Sequence, residues 1–369
     1  MVVTNDFPPR VGGVQQYVGN LVRRLPPDRV AVLAPNWAGW REHDRDEPYP
    51  VHRWPATVLL PSDDLTRRCR DLVRAHDADL VLFGHGFPVP VLVPRLLEAG
   101  IPSVILTHGA ELWFARMPGT SEAMQRSFAA ARAVTGVSEF VARALRPLIP
   151  ATVPFTLLPP AVDPDRFRPG SDTGEIRAHH GLGERAVVLC VSRLVPRKGQ
   201  DTLIRAMPVI RRLVPDAALI IAGEGPDHRR LEALAAQAPA HSVFFSGEVP
   251  DADLPAHFAD ADVFAMPCRS RFGGLEVEGF GIVFLEAAAT GRAVVAGRSG
   301  GAAEAVLDEE TGLLVEGREP KAVALAIARL LLDPPLRERM GAAGRSRVER
   351  DFTWDRRAEQ LIEILTNAV

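Results

Sequence analysis

Four side chains stand out by type and spacing. Arg193 and Lys198 lie in SRLVPRKG (192–199), and Glu278 and Glu286 lie in CRSRFGGLEVEGFGIVFLEAAATG (268–291). An arginine and a lysine flanking a tight loop that opens a helix supply compact charge and directional donors, the two things a diphosphate needs. Arg197 adds a third cation, and a merely solvated basic loop is the competing reading. Gly279 and Gly281 bracket a helix start, Glu278 sits just before it, Glu286 within it, and Gly291 is placed to end it. Eight helical residues rise roughly 12 Å, well beyond the roughly 5–5.5 Å of a retaining glycosidase pair. The two carboxylates therefore suit two ends of one extended ligand better than one bond. Glu276 is a third carboxylate in the same run, with Arg269 and Arg271 available as partners.

The first half carries two further candidates. In NDFPPRVGGVQQYVGNLVRRL (5–25) a short strand breaks at Pro-Pro, then Gly12 and Gly13 precede a helix whose N–H groups can face an anion. A lone glycine pair is equally an ordinary strand-to-helix turn. In THGAELW (107–113), His108 stands at a strand end where it can donate to or accept from a hydroxyl, with Glu111 expected to orient it. Asp260 and Asp262 form a D-x-D triplet, and the spacing reads as a polar turn before a buried strand, not as a metal site.

These residues need a scaffold. Apolar strand-length runs at 30–35, 80–85, 103–108 and 133–138, then 186–192, 217–223, 242–247, 262–267 and 293–297, alternate with amphipathic segments. That pattern predicts parallel sheets covered on both faces, an α/β architecture of two doubly wound Rossmann-like domains. Pro208 is expected to perturb the helix at 201–214. The proline-rich stretch 157–170 reads as a linker, giving domains 1–160 and 161–351. The closing segment 352–369 reads as a helix. The 369 residues carry a net charge of -3, which gives no global field for nucleic acid. Three widely spaced cysteines, Cys69, Cys190 and Cys268, suggest neither a metal site nor a disulfide framework, and with no secretory signal the expectation is a cytoplasmic protein.

The ordered set of the glycine turn, H-G-x-E, S-R-x4-K-G, the G-E-G-P turn at 223–226 and E-x7-E resembles retaining glycosyltransferases of family four, with the GT-B fold and a central cleft. The resemblance covers nearly the whole chain. NDFPPR-x-GG and the long string at 268–287 are similar to actinobacterial GDP-mannose-dependent phosphatidylinositol mannosyltransferases, particularly those acting on the monomannoside. The resemblance implies an acceptor-binding first domain, with the last helix packing back on it, and a second domain that binds GDP-mannose. It implies that Arg193 and Lys198 neutralise the diphosphate and that Glu286 holds the ribose. Glu278 and the N–H groups of Gly279, Phe280, Gly281 and Ile282 would hold the sugar, with His108 by its outer hydroxyls. Gly12 and Gly13 would close on the phosphates, and Val249 in the GEVPD turn (247–251) would contact the base. It implies no metal and no cofactor beyond the donor substrate. Only a few residues precede Asn5, leaving either a short first strand or an upstream start.

A glycolipid acceptor requires contact with a membrane, expected at the inner face of the plasma membrane. Arg67, Arg68, Arg70 and Arg74 surround Leu65, Cys69, Leu72 and Val73 in a basic amphipathic helix at 64–76. That helix either lies on anionic lipid or packs on its own domain, the latter being the favoured reading. Arg269 and Arg271 could also reach an acceptor phosphate. The alternatives are a family-four transferase using another nucleotide sugar with a soluble or polyprenyl-linked acceptor, and a GT-B nucleotide-sugar epimerase.

Overall fold

In a computed structural model describing residues 1–369, the chain forms two compact units: Met1–Pro160 with Trp354–Val369, and Ala161–Thr353. The first unit holds a seven-stranded sheet of β1 (Val2–Val3), β2 (Val32–Pro35), β3 (Val51–Trp54), β4 (Val81–Phe83), β5 (Ser103–Thr107), β6 (Ala133–Gly136) and β7 (Phe155–Leu157). Its order is β3-β2-β1-β4-β5-β6-β7, and every pairing is parallel. The second unit holds β8 (Val187–Val191), β9 (Ala218–Ala222), β10 (Val243–Gly247), β11 (Val263–Met266), β12 (Ala293–Gly297) and β13 (Gly312–Val315). Its order is β10-β9-β8-β11-β12-β13, again parallel throughout. Each is the doubly wound fold the apolar runs predict: β8, β9, β11 and β12 are buried along their whole length, as helices on both faces require.

Strand order fixes where chemistry belongs. In each sheet the winding direction reverses at one point, between β1 and β4 and between β8 and β11. Loops leaving the carboxyl ends of strands at such a reversal diverge and open a crevice. The four loops at these two points carry NDFPPRVGG after β1, GHGFP after β4, SRLVPRKG after β8 and CRSRFGGLEVEG after β11.

The sheets contain strands that the apolar pattern did not announce. The β3 segment VHRW and β7 segment FTL are only half-buried and lie at the two sheet edges. Strand β13 is also an edge. Strand β1 is two residues long. Pro208 lies inside an unbroken helix, Gln200–Leu213, contrary to expectation. Its ring sits on the exposed face, away from the core, so the helix gives up only the one hydrogen bond that the missing N–H would have made.

The helix Asp63–Ala75 turns Leu65, Cys69, Leu72 and Val73 into the interior of the first unit, so its apolar stripe is spent on its own domain. All three cysteines are free and buried, and burial pushes each thiol up to about 12. The helix Trp354–Thr366 packs on the helix Gly13–Val22 within the first unit. The Trp354 and Tyr17 rings meet edge-on at 6.0 Å, and Gln360 Nε2 donates to the Leu157 carbonyl at 2.8 Å.

Candidate active site

The loop after β8 presents its cations in two different states. Arg193 is exposed, and its guanidinium has no partner in the protein. The loop beneath it is held firmly: the Gln200 side chain donates to the Arg193 carbonyl at 3.1 Å, and the Leu194 N–H donates to the Glu224 carbonyl at 2.9 Å. The G-E-G-P turn thus acts as a buttress for the Arg193 loop. Pro196–Lys198 then forms a single 3-10 turn leading into the helix Gln200–Leu213. Lys198 Nζ donates to Glu278 Oε2 at 2.6 Å, and Arg197 Nη1 donates to the same oxygen at 3.2 Å.

Glu278 is buried. Burial pushes its carboxyl up, but Lys198 and then Arg197 outweigh that and hold it below the usual glutamate range. Its backbone is fixed by a turn the sequence reading passed over. The Glu278 carbonyl accepts from the Gly301 N–H at 2.9 Å, and its own N–H faces Ser299 Oγ at 3.5 Å. Gly300 has a left-handed φ of 55°, and a Cβ there would run into the Glu278 carbonyl oxygen. The signal was present as RSGG directly after the apolar run AVVAG.

Next, Gly281 (φ 93°) turns the chain into the helix Ile282–Ala289, where a side chain would meet the Phe284 ring. The Phe284 N–H turns back to the Gly281 carbonyl at 3.0 Å, and the N–H groups of Ile282 and Val283 remain for a ligand. Phe280 turns its ring into the core against Phe352 at 5.7 Å, so only its backbone is left for binding. Gly279 and Ile282 are partly exposed beside it.

Glu286 lies four residues into the helix, buried, and its carboxylate makes no hydrogen bond or ion pair with the protein. Burial pushes its carboxyl up to about 7, with Arg166 pulling down and Asp251 pushing up. Arg166 pairs with Asp251 at 2.8 Å, at the end of the GEVPD turn in which Val249 is half-buried. The ribose and base candidates therefore share one charged neighbour, Arg166, which sequence reasoning did not single out.

The remaining charges sort themselves. Glu276 pairs with Arg271 at 2.9 Å, and their backbones form an antiparallel bridge. Arg269 is committed elsewhere, to Asp201 at 2.8 Å and Thr202 at 3.0 Å. Asp260 accepts from the N–H groups of Gly174 and Ile176, and Asp262 from that of Val187 and from Arg177. The D-x-D triplet is thus a polar turn that ties the entrance of β11 to its neighbours.

In the first unit, Gly12 and Gly13 open the helix Gly13–Val22 at the carboxyl end of β1. His108 follows β5. Its Nε2 lies 2.8 Å from the Gly84 carbonyl, which can only accept, so that nitrogen carries the proton and Nδ1 is left for a ligand. The Tyr17 ring meets it edge-on at 5.0 Å. Glu111 makes no hydrogen bond to the imidazole and holds His108 through its backbone instead. It accepts from the backbone N–H groups of Gly86, His108 and Gly109 at 3.0, 3.1 and 2.7 Å, joining the loops after β4 and β5.

Two further residues were missed. Asp6 accepts from Gln15 at 2.6 Å, and burial pushes its carboxyl up against the pull of His108 and Arg10. Burial and His108 push the His85 imidazole down to about 3.

Comparison with known proteins gives a consistent picture. Residues 11–166 match the family described as Glycosyltransferase Family 4, and residues 172–347 match Glycosyl transferases group 1. A protein of Mycolicibacterium smegmatis named GDP-mannose-dependent alpha-(1-6)-phosphatidylinositol monomannoside mannosyltransferase is 44% identical over 376 residues, covering 99% of this chain and 98% of its own. A protein of the same name from Mycobacterium tuberculosis is 46% identical over 374 residues, covering 99% and 97%. Among solved structures, the Anabaena protein Alr3699/HepE in complex with UDP and glucose superposes with a TM-score of 0.81 at 21% identity, covering 99% of both chains. That last likeness speaks for the fold alone.

Proposed function

The chain belongs to the family-four glycosyltransferases of the GT-B fold, and on that premise we propose that it is a retaining mannosyltransferase moving mannose from GDP-mannose to a phosphatidylinositol mannoside. The observation that carries this reading is the 44–46% identity, over 99% of the chain, to two mycobacterial enzymes named for that reaction.

Breaking the sugar–phosphate bond builds negative charge on the leaving diphosphate and oxocarbenium character on the sugar. Arg193, unpartnered and exposed, is the first cation for that diphosphate, and Lys198 the second. Arg193 is in place without reorganisation, the condition under which electrostatic stabilisation is most effective, while Lys198 turns from Glu278 toward the diphosphate. Glu286 accepts from the ribose hydroxyls, its empty carboxylate being otherwise without a partner. Glu278 and the turn Gly279–Ile282 hold the sugar, and Val249 flanks the base. Within the first unit by itself, His108 leaves Nδ1 for a hydroxyl, and the helix opening at Gly12 and Gly13 leaves room for phosphate. The charge on the leaving group is met by protein cations, with same-face attack by the acceptor hydroxyl. A donor panel separates this reading from its alternatives. Purified protein with phosphatidylinositol monomannoside should release GDP from GDP-mannose. Preference for a UDP-sugar, or epimerised sugar from donor incubated alone, would defeat it.

The membrane contact belongs to the same proposal. No helix is long and apolar enough to cross a membrane. With the apolar stripe of Asp63–Ala75 buried, its outward face carries Arg68 beside Arg67 and Arg74, which pair with Asp64 and Asp71, and the loop just before it exposes Val58 and Leu60. A peripheral, salt-sensitive association with anionic lipid is the expected form. Co-sedimentation with phosphatidylglycerol vesicles should exceed that with phosphatidylcholine vesicles and fall with salt; equal recovery would contradict it.

A further inference from the structure

Around Glu278 the charges alternate in a line. Arg271 pairs with Glu276 at 2.9 Å, Glu276 approaches Arg197 at 3.9 Å, Arg197 meets Glu278 at 3.2 Å, and Glu278 meets Lys198 at 2.6 Å. Five charged groups from two loops form one chain, positive at both ends. The far end is anchored twice, because the Arg271 N–H also donates to the Glu276 carbonyl at 2.8 Å. The two loops are themselves stitched together. The Arg269 N–H donates to the Arg197 carbonyl at 2.8 Å, and its guanidinium holds Asp201.

Lys198 and Arg197 converge on one oxygen of a buried carboxylate, yet their situations differ. A lysine ammonium is a compact charge on a flexible stem, free to turn toward an incoming anion. Arg197 is held on its other side by Glu276. When a diphosphate draws Lys198, the Glu278 carboxylate is left buried with half of its compensation withdrawn. An uncompensated buried carboxylate takes up a proton. A protonated Glu278 would be a poorer acceptor for sugar hydroxyls, just as the donor arrives.

We propose that Arg197, steadied by Glu276 and Arg271, is a positioning residue that keeps Glu278 ionised and in place while Lys198 engages the donor diphosphate. The division of labour follows from what each arginine touches. Arg193 is exposed and unpartnered, ready for phosphate, whereas Arg197 is engaged by two carboxylates. Glu276, paired with Arg271 and Arg197, acquires a role two steps from the sugar. The proposal rests on the reading of Glu278 as the sugar-holding carboxylate.

The test compares Arg197→Gln, Arg197→Lys and Glu276→Gln with the unaltered protein. Three quantities are read: the pH dependence of kcat/KM for GDP-mannose, the affinity for GDP by calorimetry, and the titration of Glu278 by carbon NMR in the ligand-free protein, with Glu278→Gln assigning the signal. For Arg197→Gln the acidic limb and the Glu278 signal should both move up by about one pH unit or more. GDP affinity should change less than about threefold. Arg197→Lys should restore the limb, and Glu276→Gln should shift it in the same direction by less. An unmoved Glu278 titration would overturn the proposal, as would a tenfold loss of GDP affinity with an unmoved limb, which would make Arg197 a phosphate ligand. The NMR titration needs no donor. A protein inactive with GDP-mannose would thus fail the functional reading while the charge chain is still judged on its own.

Discussion

The carboxylates Glu278 and Glu286 are both buried on the same short segment, yet their environments push them in opposite directions. Glu278 is held below the usual range by two cations, whereas Glu286, with none in contact, rises to about 7. A ribose binds Glu286 best when it is ionised, so nucleotide binding below about pH 7 should expel a proton from it. GDP affinity should therefore rise between about pH 6 and 8, and Glu286→Gln should flatten the part of that rise not due to GDP's own phosphate. Calorimetry in buffers of different ionisation enthalpy measures the proton; equal release by both proteins would contradict the assignment. The same shift acts on stability. With the folded pKa raised from 4.5 to about 7, Glu286 favours the folded state below about pH 4.5 and loses that contribution as pH rises through about 7. Lys198→Ala should lower kcat by about 100- to 1000-fold, the usual cost of one preorganised group facing developing charge. A cooperative thermal transition alongside that loss, lowered because Glu278 loses a partner, separates catalysis from folding.

At the scale of elements, the site is legible where a motif follows a buried strand. Strands β8 and β11 are apolar runs, and their loops carry the residues the sequence pointed to: Arg193, Lys198, Glu278. The turn Ser299–Gly301 follows an equally apolar strand, but its contribution is backbone to backbone, and no side-chain type advertises that. Arg166 lies in a proline-rich segment with no periodic pattern, so its pairing with Asp251 depends on a tertiary approach of residues far apart in sequence. The edge strands β3 and β7 stayed hidden because half-burial leaves room for polar residues such as His52, Arg53 and Thr156. The turn makes a sharp prediction. Gly300→Ala combines left-handed strain with a collision against the Glu278 carbonyl, whereas Gly170→Ala meets the same kind of strain in open space. The second should cost about 1–2 kcal/mol. The first should cost distinctly more, seen as a lower thermal midpoint, and should also impair turnover. Equal costs would show that the turn does not hold Glu278.

For the whole molecule, two parallel sheets of different size repeat one rule: the loops that matter leave the carboxyl ends of strands where the winding reverses. That much follows from alternating apolar runs, and the assignment of chemistry then follows from which residues those loops carry. The choice of mannose, guanine and a phosphoinositide acceptor does not follow from spacing, since a cation pair and two carboxylates would serve any nucleotide sugar. It comes from likeness to relatives over the full length. The most direct test is to incubate the purified protein with GDP-mannose carrying carbon-13 in the sugar and with phosphatidylinositol monomannoside in mixed vesicles, and to follow the lipid by mass spectrometry. The lipid should gain one labelled hexose in α linkage, and Lys198→Ala should slow that gain by about 100-fold or more. A lipid that stays unlabelled while another donor or a soluble acceptor is consumed would contradict it.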